Sequence, residues 1–473
     1  MTELHHLTIA EAGRLYRARK LSPVELTRAY LDRIAAIDGG IHSYLLVTAD
    51  RAMEEARAAE TELIAGKDRG PMHGIPYGLK DVYETAGIRT TCHSKLLENY
   101  IPNEDAAAQK KLRAGGGVLL GKHALWEFTF GGPSYDQPWP PALNPWDKKR
   151  ALLGSSTGSG AAIAAGLCAG AMGSDTGGSI RSPAALCGLA GLKPTYGRVS
   201  RVGVLPNTYS FDHAGPMAWT VEDVALMLQV VAGHDPADPG SFDVPVDNYS
   251  EGVNTSIRGK RIGLIRDWYD GEGKTHPEAV KAIDEAVAVF KSLGCTVEEI
   301  RVPTMREFLD CKIPITLSEI YAAYEKDLKS RPNDFGRQFR YRIMPGVLIR
   351  GSDHVHALRW RTILAKRMLA HFEHIDLMLT AGHLGEPPQV DPTAKPAILN
   401  ATAPSVTTPF NLTGQPALAL CCGFLPDGFP IGMQIAGRPF DDAGVLAAGH
   451  AFEKATNFRS RRPEIVPTAM AAE

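Results

Sequence analysis

The chain has 473 residues, 44% of them hydrophobic and 22% charged, with a formal net charge of -2 at pH 7. That composition supplies a large core for one big domain or two or three ordinary ones, and it lacks the basic footprint of a nucleic-acid binder, so a small neutral substrate is expected. No apolar run reaches 18 residues, no apolar signal segment opens the chain, and seven cysteines lack C-x-x-C spacing; the expectation is a reduced, cytoplasmic protein with no membrane partner, disulfide or zinc.

In chain order, Thr8-Ile9-Ala10-Glu11 and Ser22-Pro23-Val24-Glu25 are capping boxes that start two helices, with Leu26, Tyr30, Ile34 and Ile37 on one face of the second. An extended piece over Tyr44 to Val47 and a charged helix from Ala49 to about Ile64 lead to Ile75 to Val82, a short apolar run carrying one lysine, Lys80. That lysine is either an edge-strand guard against aggregation or an amine made neutral by partial burial. A helix from Ala106 to Ala114 ends in three glycines and precedes a buried strand at Val118 to Leu120. Gly116 to Lys122 begins like a phosphate loop, but His123 stands where a magnesium-binding hydroxyl belongs, so nucleotide binding is not expected. Trp126, Phe128, Phe130, Tyr135, Trp139 and Trp146 then crowd a loop rich in Pro and Gly, where they either line a pocket or anchor the core.

Further on, Thr220 to Asp223 caps another helix, Ala232 to Gly252 reads as a surface loop, and Arg261 to Ile265, a helix through Phe290, and Thr296 to Val302 make one βαβ unit. Residues 304–373 read as a helical excursion, Asp376 to Thr380 as a strand, and Pro387 to Pro409 as irregular. Two late strands, Ala417 to Cys422 and Ile431 to Ala436, precede a last helix from Asp441 to about Ala455. Helices and strands alternate along the whole length with no repeat and no composition shift, which favours a single large α/β domain over 1–473.

The chemistry concentrates in Gly154-Ser155-Ser156-Thr157-Gly158-Ser159 and Gly173-Ser174-Asp175-Thr176-Gly177-Gly178-Ser179-Ile180-Arg181-Ser182-Pro183. Glycine beside serine lets main-chain N–H groups approach an oxyanion, and the apolar segment from Ala161 to Ala171 between the two runs marks them as held rather than loose. Three ways of activating a nucleophile compete: an elbow at Ser156, which fits G-x-S-x-G; a Cys92-His93 pair; and a lysine base acting through a relay serine.

These motifs resemble the amidase signature family. The similarity extends to Gly74 through Asp81, Gly121-Lys122, Asn144 through Asp147, Gly191 through Thr195, Asp212 through Met217, Pro409 through Gly414 and Gly432 through Arg438; Leu153 and Thr157 stand where the family usually has glycine. The resemblance implies a central mixed β-sheet flanked by helices, no cofactor and no metal, room for a homodimer, and a triad at Lys80, Ser155 and Ser179 with a cis peptide before Ser155. On that reading Ser179 attacks a carbonyl, Ser155 relays the proton to Lys80, and the turn at Thr176, Gly177 and Gly178, with Ser179's own N–H as a further donor, receives the oxyanion, while Thr129 and Phe130 contact substrate. Lys80 must be neutral to do this; at an ordinary pKa of ~10.4 about one molecule in a thousand would be, so burial has to lower it. Asp175 and Arg181 read as a brace for the turn. The implied activity is hydrolysis of an amide, anilide or carbamate (a urethanase activity), with activated esters also within reach. The branch serving as glutaminase subunit of a tRNA-dependent amidotransferase usually has an acid shortly before its threonine-proline motif; Ala403 through Pro409 contains none, which favours a free-standing enzyme. A chain that keeps the fold without activity is the alternative from another class.

Overall fold

The computed structural model describes residues 3–393 and 403–465. Eleven strands form one mixed sheet: β1 (Tyr44–Val47), β2 (Pro76–Lys80), β3 (Val118–His123), β4 (Gly170–Asp175), β5 (Ala190–Lys193), β6 (His213–Ala218), β7 (Arg261–Leu264), β8 (Thr296–Glu299), β9 (Leu377–Ala381), β10 (Ala417–Phe424) and β11 (Pro430–Ala436). Their spatial order is β1-β3-β2-β4-β6-β5-β10-β11-β9-β7-β8. β2 runs parallel to both β3 and β4, β9, β7 and β8 are mutually parallel, and the pairs between these two groups are antiparallel. Burial follows position. The inner strands β2, β3, β4, β6 and β11 are buried at every residue, while the edge strands β1 and β8 are half-buried or exposed throughout. Buried strands read as near-continuous apolar runs because helices cover both faces.

Helices α1 (Ile9–Arg17) and α2 (Pro23–Ile37) both open on formed capping boxes. The next are α3 (Ala49–Ile64), α4 (Ala107–Ala114), α5 (Thr157–Ala164), α6 (Arg181–Cys187) and α7 (Val221–Val231). The stretch 304–373 folds as three helices, Met305–Ser330, Arg337–Ile343 and Gly351–Leu369, with short turns between them. A second apolar cluster, with Phe211, Trp268, Phe308, Leu364 and Phe410, packs them against the sheet. Of the sequence expectations, β8 stops at Glu299 rather than Val302, and α5, β4, β5, α6 and β6 went unread as elements. β6 carries Gly215 and Pro216, residues that ordinarily argue against a central strand. Part of the irregular stretch 387–409 lies outside the described residues; its end forms the short helix Thr408–Leu412. All seven cysteines are free.

Candidate active site

Two adjacent strands and the turns that leave them assemble the site. Lys80 is the last residue of β2, which lies between β3 and β4, so it is an interior lysine and not an edge guard. It is fully buried, and its Nζ lies 2.7 Å from Ser155 Oγ and 2.8 Å from Ser174 Oγ. No carboxylate forms an ion pair with it among the described residues. Burial pulls the ammonium down to about 7, against weaker opposing influences from Cys92, Asp175 and Asp212. The neutral form that base chemistry requires is therefore abundant at neutral pH.

Ser155 sits just before α5, which starts at Thr157. Its carbonyl accepts from Trp126 N–H (3.2 Å). α5 packs tightly because a Cβ at Gly158 would lie 2.4 Å from both Ala124 N and Ser43 O, a contact only glycine avoids. The expected cis peptide before Ser155 is absent: no cis bond occurs among the described residues, and the trans form, the lower-energy one for a non-proline residue, brings Ser155 to Lys80.

From β4 the chain turns through Asp175 to Ser179 and enters α6. Asp175 organises this turn: its Oδ1 accepts from Gly178 N–H (2.7 Å) and its Oδ2 from Ile180 N–H (3.1 Å). Arg181 grips the same carboxylate twice, Nε to Oδ2 and Nη2 to Oδ1, each at 3.0 Å, and both residues are fully buried. Arg181 further donates to Thr407 O, Gln434 Oε1 and Asn411 Oδ1. The guanidinium holds Asp175 far below the usual carboxylate range despite its burial. This is the brace read from the sequence, in the interior rather than at the surface.

Gly178, at φ 126, has its N–H directed to Asp175 and away from the expected oxyanion position. The N–H groups of Gly177 and Ser179 have no protein partner among the described residues and are the available pair of donors. Thr176 Oγ1 donates to Asp212 Oδ1 at 2.5 Å, and the other oxygen of Asp212 holds the amides of Asn207 and Thr208. Burial raises Asp212 to about 6. Ser179 is 8% exposed and its hydroxyl has no hydrogen-bond partner among the described residues; the Ser155–Ser179 hydroxyl bond is not formed, and Ser156 N–H to Ser179 O (3.1 Å) ties the two turns instead. Such catalytic bonds often tighten only with substrate in place.

A cavity of about 790 Å³ opens over this floor, and Ser179, Thr176, Gly177, Thr129 and Phe130 all reach it. Thr129 adopts φ 62 and is fixed by Asn207 Nδ2, which donates to its O (3.1 Å) and Oγ1 (2.9 Å). Trp126 and Phe130 line the cavity, but Phe128 is a core residue packed on Tyr324, Phe335 and Phe339, and Tyr135 lies outside the lining. The facing wall comes from the helix Met305–Ser330 and its successors, with Lys312, Leu317, Arg342 and Leu348. Sequence reasoning missed Ser174, Lys312, Asp212 as a turn anchor, and Gln434. Ser174 and Gln434 had a signal, a polar residue inside an otherwise buried strand; Lys312 had none.

The competing nucleophile designs are not assembled. Ser156 is buried, its hydroxyl between Ser174 O (3.2 Å) and Ser174 N–H (3.3 Å). Cys92 is buried, burial raises its thiol well above the ordinary range, and His93 bonds Trp139 O (2.9 Å). Lys122 pairs with Asp81 at 3.0 Å inside the sheet, with no phosphate cradle around it.

A family model described as Amidase matches residues 25–446. This chain belongs to the amidase signature family. A glutamyl-tRNA(Gln) amidotransferase subunit of Moorella thermoacetica is 39% identical over 98% of this chain and 99% of its own. Among solved structures, a protein of a vestigial complex described as revealing the origins of an s-triazine catabolic enzyme superposes with TM-score 0.87 at 32% identity, covering 95% of this chain and 98% of that one. Peptide amidase from Stenotrophomonas maltophilia does so with TM-score 0.81 at 28% identity, covering 96% and 98%. The amidase signature fold, a mixed sheet flanked by helices, is thus shared throughout. The Moorella relative sides with the amidotransferase alternative against the free-standing enzyme expected from the segment at 403–409.

Proposed function

We propose that the protein hydrolyses the C–N bond of a small amide through an acyl-Ser179 intermediate. The observation that carries this reading is the fully buried Lys80 amine, with no carboxylate partner among the described residues, 2.7 Å from Ser155 Oγ, beneath the turn whose Ser179 lines the cavity. Ser179 Oγ attacks the carbonyl carbon as its proton passes through Ser155 to Lys80. The oxyanion receives the N–H groups of Gly177 and Ser179, with Thr176 beside them; Gly178 serves by holding the turn on Asp175. The relay then protonates the leaving nitrogen, the C–N bond breaks, and water, deprotonated along the same path, attacks the acyl ester to release the acid and restore Ser179. Ser174 Oγ keeps the Lys80 amine aimed. A panel of amides, anilides, carbamates and esters, with fluorophosphonate labelling of Ser179, tests the reading; turnover that survives Ser179→Ala would sink it.

The substrate has a second reading, glutamine, in a tRNA-dependent amidotransferase, favoured by the full-length similarity to the Moorella protein. Against a free-standing glutaminase site, Glu386 is the one acid among the described lining residues, and it lies 3.6 Å from His276. Ammonia release from glutamine, with and without the partner proteins of an amidotransferase and charged tRNA, separates the two.

A further inference from the structure

The helical wall of the cavity carries two cations, Lys312 and Arg342, that form no ion pair among the described residues. Lys312, on the helix Met305–Ser330, lines the cavity and makes one long hydrogen bond, 3.4 Å to Thr408 Oγ1. It has no ion pair among the described residues. Its amine stands beside the nucleophile turn, where a Cβ on Gly177 would lie 2.4 Å from Lys312 Nζ. Asp175, the acid that bears on it, is already held by Arg181 through two bonds. Arg342 adds a second cation to the same wall, its buried Nε without a hydrogen-bond partner among the described residues. An ammonium with donors to spare, partly buried in a cavity wall and with no acid in ion-pair contact among the described residues, is suited to a ligand's negative charge; Glu386, the acid in the same lining, lies 3.6 Å from His276 instead. Burial lowers Lys312 to about 8, so it remains largely charged at neutral pH.

We infer that Lys312 is a specificity-determining residue that binds a carboxylate carried a few bonds from the scissile carbonyl, so that the substrate is a short anionic amide rather than a neutral one. This rests on the acyl-Ser179 reading, because Lys312 stands against Gly177 of the oxyanion turn, two residues before Ser179. It also replaces the neutral substrate expected from the overall charge: a net charge near zero describes the whole surface, whereas a ligand feels the few groups around it.

The test is protection of Ser179 from fluorophosphonate labelling by oxamate, malonamate and succinamate, each against its matched neutral amide. In the wild-type protein at least one of these carboxylates should protect at a concentration roughly tenfold or more below its neutral partner. Lys312→Met should raise that half-protecting concentration roughly tenfold to a hundredfold while the neutral amide's moves by less than about twofold, and Lys312→Arg should recover part of the difference. Equal protection by charged and neutral amides, or a parallel loss for both in Lys312→Met, would overturn the assignment with the acyl-serine reading intact. Absence of Ser179 labelling in the wild-type protein would instead remove that reading, and this inference with it.

Discussion

The two walls of the cavity are built on opposite principles. On the sheet side nearly every polar group is committed: Lys80 to Ser155 and Ser174, Asp175 to Arg181 and two amides, Ser156 to both sides of Ser174. On the helix side Lys312 and Arg342 face the cavity with donors to spare. A saturated network holds Lys80, Ser155 and the frame of the turn in place while leaving the Ser179 hydroxyl free among the described residues, and a group inside it can be lost only at high cost. An unsaturated wall leaves its hydrogen-bonding capacity for the ligand. Reaction type and substrate choice are thereby separable, which fits a family whose structurally similar members carry such different names.

The comparison breaks first at the nucleophile. Ser179→Ala should lower kcat by roughly 10⁴ to 10⁶ and abolish fluorophosphonate labelling, read by intact-protein mass, whereas Ser156→Ala should still be labelled. Loss of labelling in Ser156→Ala alone would move the nucleophile into the part of the network assigned here to structure. Next, Lys80→Ala should cost roughly 10² to 10⁴ in kcat/KM and flatten a pH profile that in the wild-type protein rises through about 7. The same group has a stability signature. With the folded value near 7 and the unfolded value near 10.5, the unfolded chain holds one more proton between these limits, so stability should rise with pH across that window. Denaturant titrations at several pH values should show this slope reduced in Lys80→Met.

The brace comes third. Arg181→Leu leaves Asp175 buried and unpaired and should destabilise the fold by about 3–5 kcal/mol, seen as a lower urea midpoint. A variant as stable as the wild type would show that the sheet side is not saturated as described. The smallest effect sharpens the picture: Ser174→Ala removes one of the two hydroxyls that accept from the Lys80 ammonium. Because those bonds favour the charged form, the midpoint of the pH profile should move below about 7, with kcat reduced about tenfold or less.

The capped helices and most of the strands were legible because each leaves a local mark, such as Thr8 and Glu11 at a helix start; Lys80 in an apolar run and serines among glycines marked the region of the site, while the roles proposed for Lys80, Ser155 and Ser179 came from the family resemblance. β6 was hidden because Pro216 and Gly215 mimic a turn, and its antiparallel pairing with β4 and β5 places it in the sheet. Phe128 shows the limit for side chains. Its neighbours Trp126 and Phe130 reach the cavity, while Phe128, at φ 43, turns into the core, a distinction no spacing rule carries. Lys312 was invisible for the same reason: on the sequence it is one more lysine in a charged helix, and its meaning comes from Gly177, in a turn far earlier in the chain.

Arg181 reaches from the start of α6 to Thr407, Asn411 and Gln434, and Gln434 in turn donates to Ala381 O and Val406 O. The nucleophile turn is thus fastened by chain synthesised long after it. On the acyl-Ser179 reading, a nascent polypeptide would carry every proposed reacting atom before β11 emerged, yet still lack the Gln434 contact that helps latch the turn.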